Sequence, residues 1–290
     1  LSARSGRTVA IARVEPILVA PMLDTPKIAL SIAGSDPSGG AGIQADLKTF
    51  SAYGVFGACA IASLTAQNTR EVTAIHDPPP EFLAAQLDAV FTDLAVDATK
   101  LGMLSNATLI ELVASKLTQH RARNVVLDPV MVSKGGSRLL DPAAVEVLRA
   151  RLLPLAEVLT PNLPEAAVLL ESSEGEVLAD LEGAGRRLLS LGPKCVVLKG
   201  GHAGGAHSDD LVFEEGVVAR LPAKRTASRN THGTGCTFSA AIAAGLAKGR
   251  TREQAVMSAK RYISAAIEGS REWKLGGGHG PVHHFHKWWT

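Results

Sequence analysis

The chain has 290 residues, of which 46% are hydrophobic, 20% are charged and 4% are aromatic, and its formal net charge is +2. This composition is typical of a globular protein with a sizeable core and excludes a disordered or fibrous chain. The net charge is near neutral and aromatic residues are scarce, so nothing suggests nucleic acid as a partner. The apolar runs are shorter than the ~20 residues of a membrane helix, so nothing suggests a membrane either.

Apolar strands and amphipathic helices alternate from residue 27 onward. Residues 27–33 form a short apolar strand, the glycine-rich segment 34–42 follows it, and residues 43–54 have the periodicity of a helix. Further strands are predicted at 57–68, 98–104, 124–130, within 157–166 and at 195–202. Further helices are predicted at 81–94, 106–120, 145–153, 181–192 and 251–269.

Residues 209–223 contain two alternating segments that meet at Glu215 and Gly216, which indicates a β-hairpin at an edge of the sheet. The alternation of strands and helices predicts a three-layer α/β/α fold with a mostly parallel central sheet. Because no linker or repeat interrupts the pattern, we expect residues 27–290 to form one domain.

Residues 1–26 differ from the rest of the chain. Arginines alternate there with apolar residues, and the first residue is leucine. We interpret the segment as a dispensable N-terminal extension, with Met22 as a plausible natural start and a transit peptide as the alternative. Cys59, Cys195 and Cys236 are far apart and form no CxxC pattern, which favours free thiols in a reducing compartment; we therefore expect a cytoplasmic protein.

Candidate ligand-binding residues follow the predicted strands at their carboxyl ends, where ligands bind in sheets of this kind. They are Asp36, Gln67, Met103, Asp128, Asn162, Glu165 and Lys199. The carboxylates of Asp128 and Glu165, with Asn162 nearby, suit a largely water-coordinated Mg²⁺ that is carried by a nucleotide. Helix capping is the alternative for Glu165. Lys199 is placed to neutralise phosphate charge, although a lone lysine at a strand end is usually only solvated.

The segment 230–245 joins a second glycine-rich turn to a run of alanines, and we expect a helix to begin near Gly235. The free N–H groups and the dipole of a helix start suit a phosphate or a developing oxyanion. Cys236 stands at this start, where the dipole favours its thiolate. It is a candidate to accept a proton from a substrate hydroxyl while neighbouring N–H groups hold a phosphoryl group. A plain loop with a buried cysteine is the alternative.

The first glycine-rich loop, GSDPSGGAG, matches neither the Walker P-loop pattern nor GxGxxG. Two glycine loops, each at a helix start, suggest that two ligand parts are brought together. We expect the backbone of residues 39–42 to hold a phosphate on the substrate side.

Motifs along the whole chain carry a resemblance to one enzyme family. They are AGSDPSGGAGIQADLKTFSAYG, TAQNTR, KLGML, NVVLDPVM, TPNLPEA, VVLKGGH, NTHGTGCTFSAA and GPVHHFHKWW. Together they resemble the hydroxymethylpyrimidine/phosphomethylpyrimidine kinases, members of the ribokinase-like superfamily that act in thiamine biosynthesis. The match covers nearly everything from residue 27 to residue 289, in the same order.

The resemblance implies a homodimeric kinase that uses ATP and Mg²⁺. Its small-molecule substrate would be 4-amino-5-hydroxymethyl-2-methylpyrimidine, which it phosphorylates once and then again. Gln67 looks like the residue that binds the pyrimidine edge, and Gly34, Asp46 and Met103 look like the rest of that pocket. Cys236 stands where sugar kinases of the superfamily carry an aspartate base, and it either acts as a full base or mainly orients the alcohol.

For the kinase that this resemblance implies, we also assign the nucleotide side of the site. Lys199, Asn162, Thr231 and Thr234 are expected to contact ATP, Gly233 and Gly235 to complete the catalytic anion site, and Asp128 and Glu165 to bind the metal. Two alternatives stay open: a pyridoxal or pyridoxine kinase of the same superfamily, and a non-catalytic sensor of a pyrimidine or nucleotide.

The C-terminal sequence VHHFHKWW contains three histidines. A metal site is one interpretation; the one we favour is a tail tied down by Phe285, Trp288 and Trp289. His232, beside the anion site, either contacts phosphate or structures its loop.

Overall fold

The computed structural model of the protein describes residues 25–132, 136, 139–202 and 206–289. Residues 1–24 of the predicted extension therefore lie outside the described residues. No helix in the described ranges is long and apolar enough to span a bilayer.

Nine strands of the described residues form one sheet in the order β3-β2-β1-β4-β5-β6-β7-β8-β9. They are β1 Ile28–Gly34, β2 Phe56–Gln67, β3 Val72–His76, β4 Ala98–Leu101, β5 Val125–Leu127, β6 Val158–Leu159, β7 Val196–Leu198, β8 Asp210–Glu214 and β9 Val217–Leu221. The strands from β2 through β1 and β4 to β7 pair in parallel, whereas β3, β8 and β9 pair antiparallel at the two edges. The predicted edge hairpin is therefore present as β8 and β9.

Helices cover both faces of the sheet. They are α1 Gly42–Ala52, α2 Pro80–Asp93, α3 Ala107–Gln119, α4 Val145–Arg151, α5 Leu163–Leu169, α6 Glu174–Ala179, α7 Leu181–Ser190, α8 Thr234–Ala247 and α9 Arg252–Gly269. Short 3₁₀ turns lie at Pro142–Ala144, Leu153–Leu155 and Gly200–His202. The prediction of a mostly parallel sheet between two helical layers is confirmed.

Alternate side chains of β1 point into two separate cores. Leu30 and Ile32 pack in the core beneath the layer that contains α2 to α7, and Ala29 packs in the core beneath α8 and α9. Because β1 is buried on both faces, it reads as a continuous apolar run, as central parallel strands do. The alanines of α8 are buried on every side, and that helix lies against α9, α1 and the centre of the sheet.

Three elements were not predicted, and the strands predicted at 98–104, 124–130 and 195–202 are shorter in the structure. The missing elements are β3, α5 and α6. The segment predicted as a strand at 98–104 leaves the sheet after Leu101, and residues 102–105 run on along the edge of the sheet as irregular chain. This departure turns Met103 away from the ladder and into a cavity.

The C-terminal tail docks differently from the prediction. His283 and His284 are buried, and the ring of Trp273 lies 4.3 Å from that of His283. Trp288 and Trp289 are instead 64% and 61% exposed. The histidines, rather than the two tryptophans, thus tie down the tail.

Candidate active site

A cavity of about 820 Å³ opens at the carboxyl ends of the parallel strands. Its volume lies within the range of small-molecule sites. Of the predicted site residues, it is lined by Gly34, Gln67, Met103, Asp128, Asn162, Glu165, Lys199, Thr231, Gly233, Thr234, Gly235 and Cys236. The structure therefore gathers in one place residues that are up to about 200 positions apart in sequence.

Two helix N-termini converge on Cys236. Helix α8 begins at Thr234 after Gly233, and no side chain caps its start. Helix α1 also lacks a side-chain cap, and the N–H of Gly42, its first residue, lowers the pKa of the Cys236 thiol. Uncapped N–H groups and the dipoles of both helices thus place partial positive charge around this sulfur.

Burial of Cys236 has a larger effect on the pKa of its thiol than the predicted stabilisation of the thiolate has. Burial raises the pKa of Cys236 to about 11, although Lys100 and the N–H of Gly42 lower that pKa. The nearby carboxylates of Asp46 and Asp128 act in the same direction as burial. Cys236 is therefore mostly a protonated thiol at neutral pH, because the N–H of Gly42 offsets only part of the effect of burial on its pKa.

Lys100 is a cavity residue that sequence reasoning missed. It lies on β4 and is fully buried, and its ammonium donates a hydrogen bond of 2.8 Å to Asp46. Ser31 donates to the same carboxylate oxygen at 2.6 Å. Asp46 was predicted to line the substrate pocket, but it lies behind Lys100 and does not contribute to the lining. The one available signal was a lysine in the otherwise uncharged strand ATKL.

Lys199 lies between two carboxylates at the other end of the cavity. Its ammonium is 2.9 Å from an oxygen of Asp128 and 3.7 Å from an oxygen of Glu165. Burial raises the pKa of Glu165 to about 7, while Lys199 opposes that rise and Asp128 adds to it. The absence of a side chain on Gly235 keeps this group open to the cavity, since a Cβ there would lie 3.4 Å from Asp128 and 3.5 Å from Lys199.

Asn162 and Glu165 also form a capping box at the start of α5. The side chain of Asn162 accepts from the N–H of Glu165, and the carboxylate of Glu165 accepts from the N–H of Asn162, both at 2.8 Å. The capping interpretation of Glu165 is therefore confirmed, and because the same side chain faces the cavity, metal binding by Glu165 stays a prediction.

The carboxylates fit a cation that arrives with a ligand. Within the described parts of the chain, no group of three or more His, Cys, Asp or Glu side chains could hold a metal ion. Asp128 and Glu165 line the cavity beside Lys199. Mg²⁺ typically takes one or two carboxylates and completes its shell with water and phosphate oxygens. The donor set suits Mg²⁺ held in this way and does not form a protein cage.

Gln67 and Met103 lie at the opposite end of the cavity from Lys199. The hydroxyl of Thr65 donates to the amide oxygen of Gln67 at 3.2 Å, and the amide nitrogen is 3.5 Å from the ring of His232. A Cβ on Gly34 would lie 3.1 Å from the sulfur of Met103. This end therefore offers one oriented amide against an apolar thioether wall.

His232 structures the first glycine loop. Its ring Nε2 lies 2.7 Å from the carboxylate of Asp36, and both side chains are buried. Burial raises the pKa of Asp36, but hydrogen bonds from His232 and Ser38 outweigh it and bring that pKa down to about 2. Of the two predicted roles for His232, the structure shows the loop-structuring one.

Two N–H groups of the first glycine loop already bond within the loop. The N–H of Gly39 donates to the carbonyl of Asp36, and the N–H of Ala41 donates to the carboxylate of Asp36. The expectation that the backbone of residues 39–42 holds a substrate phosphate stays a prediction, and it now falls on the N–H groups of Gly40 and Gly42.

Basic and apolar side chains from the chain's C-terminal half complete the cavity beyond Lys199. They are Lys224, Arg225, Lys260, Ile263, Ile267 and, from α5, Val168. Lys260 donates a hydrogen bond of 2.7 Å to Asp210. An elongated ligand with an anionic part suits this end of the cavity.

Thr231 and Thr234 form the turn before α8. The hydroxyl of Thr234 donates to the carbonyl of Thr231 at 2.6 Å, and this hydrogen bond closes the turn.

Comparisons with known proteins agree with this description. A family model for phosphomethylpyrimidine kinase matches residues 36–283. The chain is 50% identical, over 261 residues, to the hydroxymethylpyrimidine/phosphomethylpyrimidine kinase of Salmonella typhimurium. That alignment covers 90% of this chain and 98% of the Salmonella protein.

Two solved structures resemble the whole fold. A pyridoxal kinase of Bacillus subtilis, crystallised as an ADP complex, has a TM-score of 0.83 and 38% identity, covering 90% of this chain and 98% of its own. A phosphomethylpyrimidine kinase of Clostridium difficile has a TM-score of 0.73 and 40% identity, covering 83% of this chain and 99% of its own. Kinases with either name thus share the fold and the arrangement of strands described above.

Proposed function

The chain belongs to the phosphomethylpyrimidine kinase family, and we propose that it uses ATP to phosphorylate 4-amino-5-hydroxymethyl-2-methylpyrimidine and then the resulting monophosphate, in thiamine biosynthesis. One observation carries the proposal: a single cavity has Gln67 and Met103 at one end, Lys199 at the other and Cys236 among its lining residues. A pyrimidine alcohol and a nucleotide phosphate bound at the two ends would meet at the start of α8.

The substrate end suits a neutral heteroaromatic ring. The amide of Gln67 has both donor and acceptor groups for the polar edge of an aminopyrimidine. Met103 and Gly34 supply apolar contact for the ring face. Asp46 acts here through Lys100, because Asp46 itself does not reach the cavity.

The start of α8 suits the transferring phosphoryl group. Phosphoryl transfer depends mainly on positioning and on neutralising charge at the equatorial oxygens. The first N–H groups of α8, around Gly233 and Gly235, and the ammonium of Lys199 would do this, with Thr231 and Asn162 along the nucleotide. Asp128 and Glu165 would hold Mg²⁺, which neutralises phosphate charge when it is bound.

The two transfers place different demands on Cys236. In the first, the acceptor is an alcohol, whose proton must leave, and we assign its acceptance to the small thiolate fraction of Cys236. In the second, the acceptor is a phosphate monoester, which is largely deprotonated at neutral pH because its second pKa is about 6. The second transfer therefore needs no general base.

Pyridoxal phosphorylation is the second candidate activity, since the pyridoxal kinase has the higher TM-score of the two structures above. Purified enzyme with ATP and Mg²⁺, coupled to ADP detection, would give kcat/KM for the hydroxymethylpyrimidine and for pyridoxal. We expect the pyrimidine to be preferred. A preference for pyridoxal would reject the substrate assignment, and pyrimidine binding without ADP release would indicate a sensor.

We also propose a cytoplasmic homodimer. Support for the dimer comes from two exposed apolar side chains, Ile75 on the edge strand β3 and Leu64 on the neighbouring strand β2. Such edges invite pairing unless they are covered. Sedimentation of the wild type and of Ile75→Lys would test this, because the charged substitution should shift the protein towards the monomer.

A further inference from the structure

The carboxylate of Asp77 joins three parts of the chain beside the substrate end of the cavity. Asp77 follows directly after β3, and it accepts hydrogen bonds of 2.6 Å from the hydroxyl of Ser63 on β2 and from the hydroxyl of Ser105. The amide nitrogen of Asn106 donates to the same carboxylate at 2.9 Å. Asp77 is not among the described residues that line the cavity, so its influence on a ligand has to pass through these partners.

Ser105 belongs to the irregular segment 102–105, which carries Met103 into the cavity. At the start of this segment the N–H of Gly102 donates to a carbonyl of β1 at 3.0 Å. At its end the hydroxyl of Ser105 donates to Asp77. Because Met103 lies between these two anchor points, its position depends on the bond to Asp77.

Ser63 connects the same carboxylate to Gly34, which faces Met103. The carbonyl of Ser63 accepts a hydrogen bond of 2.8 Å from the N–H of Ser35. A Cβ on Gly34 would lie 3.5 Å from that carbonyl oxygen and 3.1 Å from the sulfur of Met103. Asp77 therefore bonds both to the strand that supports Gly34 and to the segment that carries Met103.

We propose that Asp77 is a positioning residue that holds the thioether of Met103 against Gly34 and so shapes the substrate end of the cavity. Hydrogen bonds to an ionised carboxylate are stronger than neutral ones, and three of them converge here. They fix the segment after β4 at the point where it has left the sheet. The inference rests on the proposed function for the identity of the substrate, a pyrimidine ring in contact with Met103.

Support of helix α3 alone is the alternative role for Asp77. Asn106 caps this helix, since its side-chain oxygen accepts from the N–H of Leu109 at 3.0 Å while its nitrogen donates to Asp77. A role confined to the helix would leave Met103 in place when Asp77 is replaced. The bond from Ser63 does not serve the cap, and it favours a role at the cavity.

Oxidation of methionine by hydrogen peroxide, followed on each peptide by mass spectrometry, tests the position of Met103. Met103 is 8% exposed, whereas Met257 on α9 is 38% exposed and serves as the internal reference. We expect Asp77→Ala to speed oxidation of Met103 relative to Met257 about threefold, because a released segment opens locally and exposes the sulfur. Ser105→Ala removes one of the three hydrogen bonds and should act in the same direction, which keeps the test available if Asp77→Ala does not fold.

The matched control is Asp88→Ala. The carboxylate of Asp88 on α2 also joins two elements, because it accepts hydrogen bonds from Lys116 and His120, and it is not among the described residues that line the cavity. This variant should keep the wild-type oxidation ratio. An unchanged ratio in both Asp77→Ala and Ser105→Ala would overturn the proposal, as would an equal rise in Asp88→Ala. Because oxidation needs neither ATP nor pyrimidine, the result does not depend on whether the proposed activity is correct.

Steady-state kinetics separates positioning of the cavity wall from a general loss of stability. Asp77→Ala should raise the KM of the pyrimidine about tenfold, with kcat and the KM of ATP unchanged, because only contact with the bound ring is lost. Asp77→Asn keeps one acceptor oxygen and should restore part of the wild-type KM. Equal rises in both KM values, or a fall in kcat with the KM of the pyrimidine intact, would contradict the proposal. A wild type that does not phosphorylate the pyrimidine would instead reject the proposed function and leave the oxidation result standing.

Discussion

The carbonyl oxygen of Gly40 occupies the space that a side chain on Gly233 would need. The two glycine-rich loops therefore pack backbone against backbone, and their contact brings the start of α1 to the start of α8. Gly233 also has a φ of 75°, in the left-handed region that disfavours a side chain. The position of Cys236 between two helix N-termini depends on this contact.

Gly233→Ala should be strongly destabilising because it adds a backbone overlap to the left-handed strain. Gly249→Ala is the matched control, since Gly249 has a φ of 76° with no atom near its Cβ position. We expect a loss of about 1 kcal/mol for Gly249→Ala and of roughly 3 kcal/mol for Gly233→Ala in urea unfolding. Equal losses would show that the loops do not pack in this way.

Cys236→Ala should slow the first transfer about 10²–10⁴-fold, the usual effect of losing a general base, and the second transfer less than about tenfold. Separate assays with the pyrimidine alcohol and its monophosphate would measure the two steps. Cys59→Ala is the control, because Cys59 is a free, half-buried thiol outside the cavity lining. Wild-type turnover of the alcohol by Cys236→Ala would contradict the assignment.

Gln67→Ala should raise the KM of the pyrimidine about tenfold, because roughly 1.4 kcal/mol of hydrogen bonding to the ring is lost. The KM of ATP serves as the internal control and should not change. A fall in kcat with both KM values intact would place Gln67 in a different role.

Acid should destabilise the protein through His284. Burial lowers the pKa of His284 to about 3, so the folded state keeps it neutral while the unfolded state protonates it near pH 6.5. Its contribution to stability is therefore complete above pH 6.5 and is lost as pH falls towards 3. Between pH 7 and pH 5 we expect wild type to lose about 2 kcal/mol more than His284→Gln. Parallel losses in urea unfolding would mean that His284 is not the group responsible.

The layered fold was predictable because strands buried on both faces and amphipathic helices leave clear periodicities. Strand β3 was not, since its five residues are mostly exposed and have no alternation to detect. Helices α5 and α6 are only seven and six residues long and give little periodicity, although α4, also seven residues long, was predicted. Their capping boxes, Asn162 with Glu165 and Ser173 with Glu176, were the available signals.

Those site residues that follow directly after a strand could be predicted from the sequence, because the carboxyl ends of parallel strands meet at one edge of the sheet. That Asp46 lies behind Lys100, however, depends on how α1 packs on the sheet, which sequence spacing does not reveal. The protonation state of the Cys236 thiol also depends on packing that sequence spacing does not reveal. Its helix dipole can be predicted from the glycine turn, but the burial that outweighs the dipole arises only when α1 and α8 meet.

The most direct test of the account is product analysis by mass spectrometry. Wild type incubated with ATP, Mg²⁺ and 4-amino-5-hydroxymethyl-2-methylpyrimidine should yield the monophosphate first and the diphosphate after it. Cys236→Ala should form almost no diphosphate from the alcohol but should form it readily from supplied monophosphate. The absence of any phosphorylated pyrimidine with the wild type would contradict the proposed function.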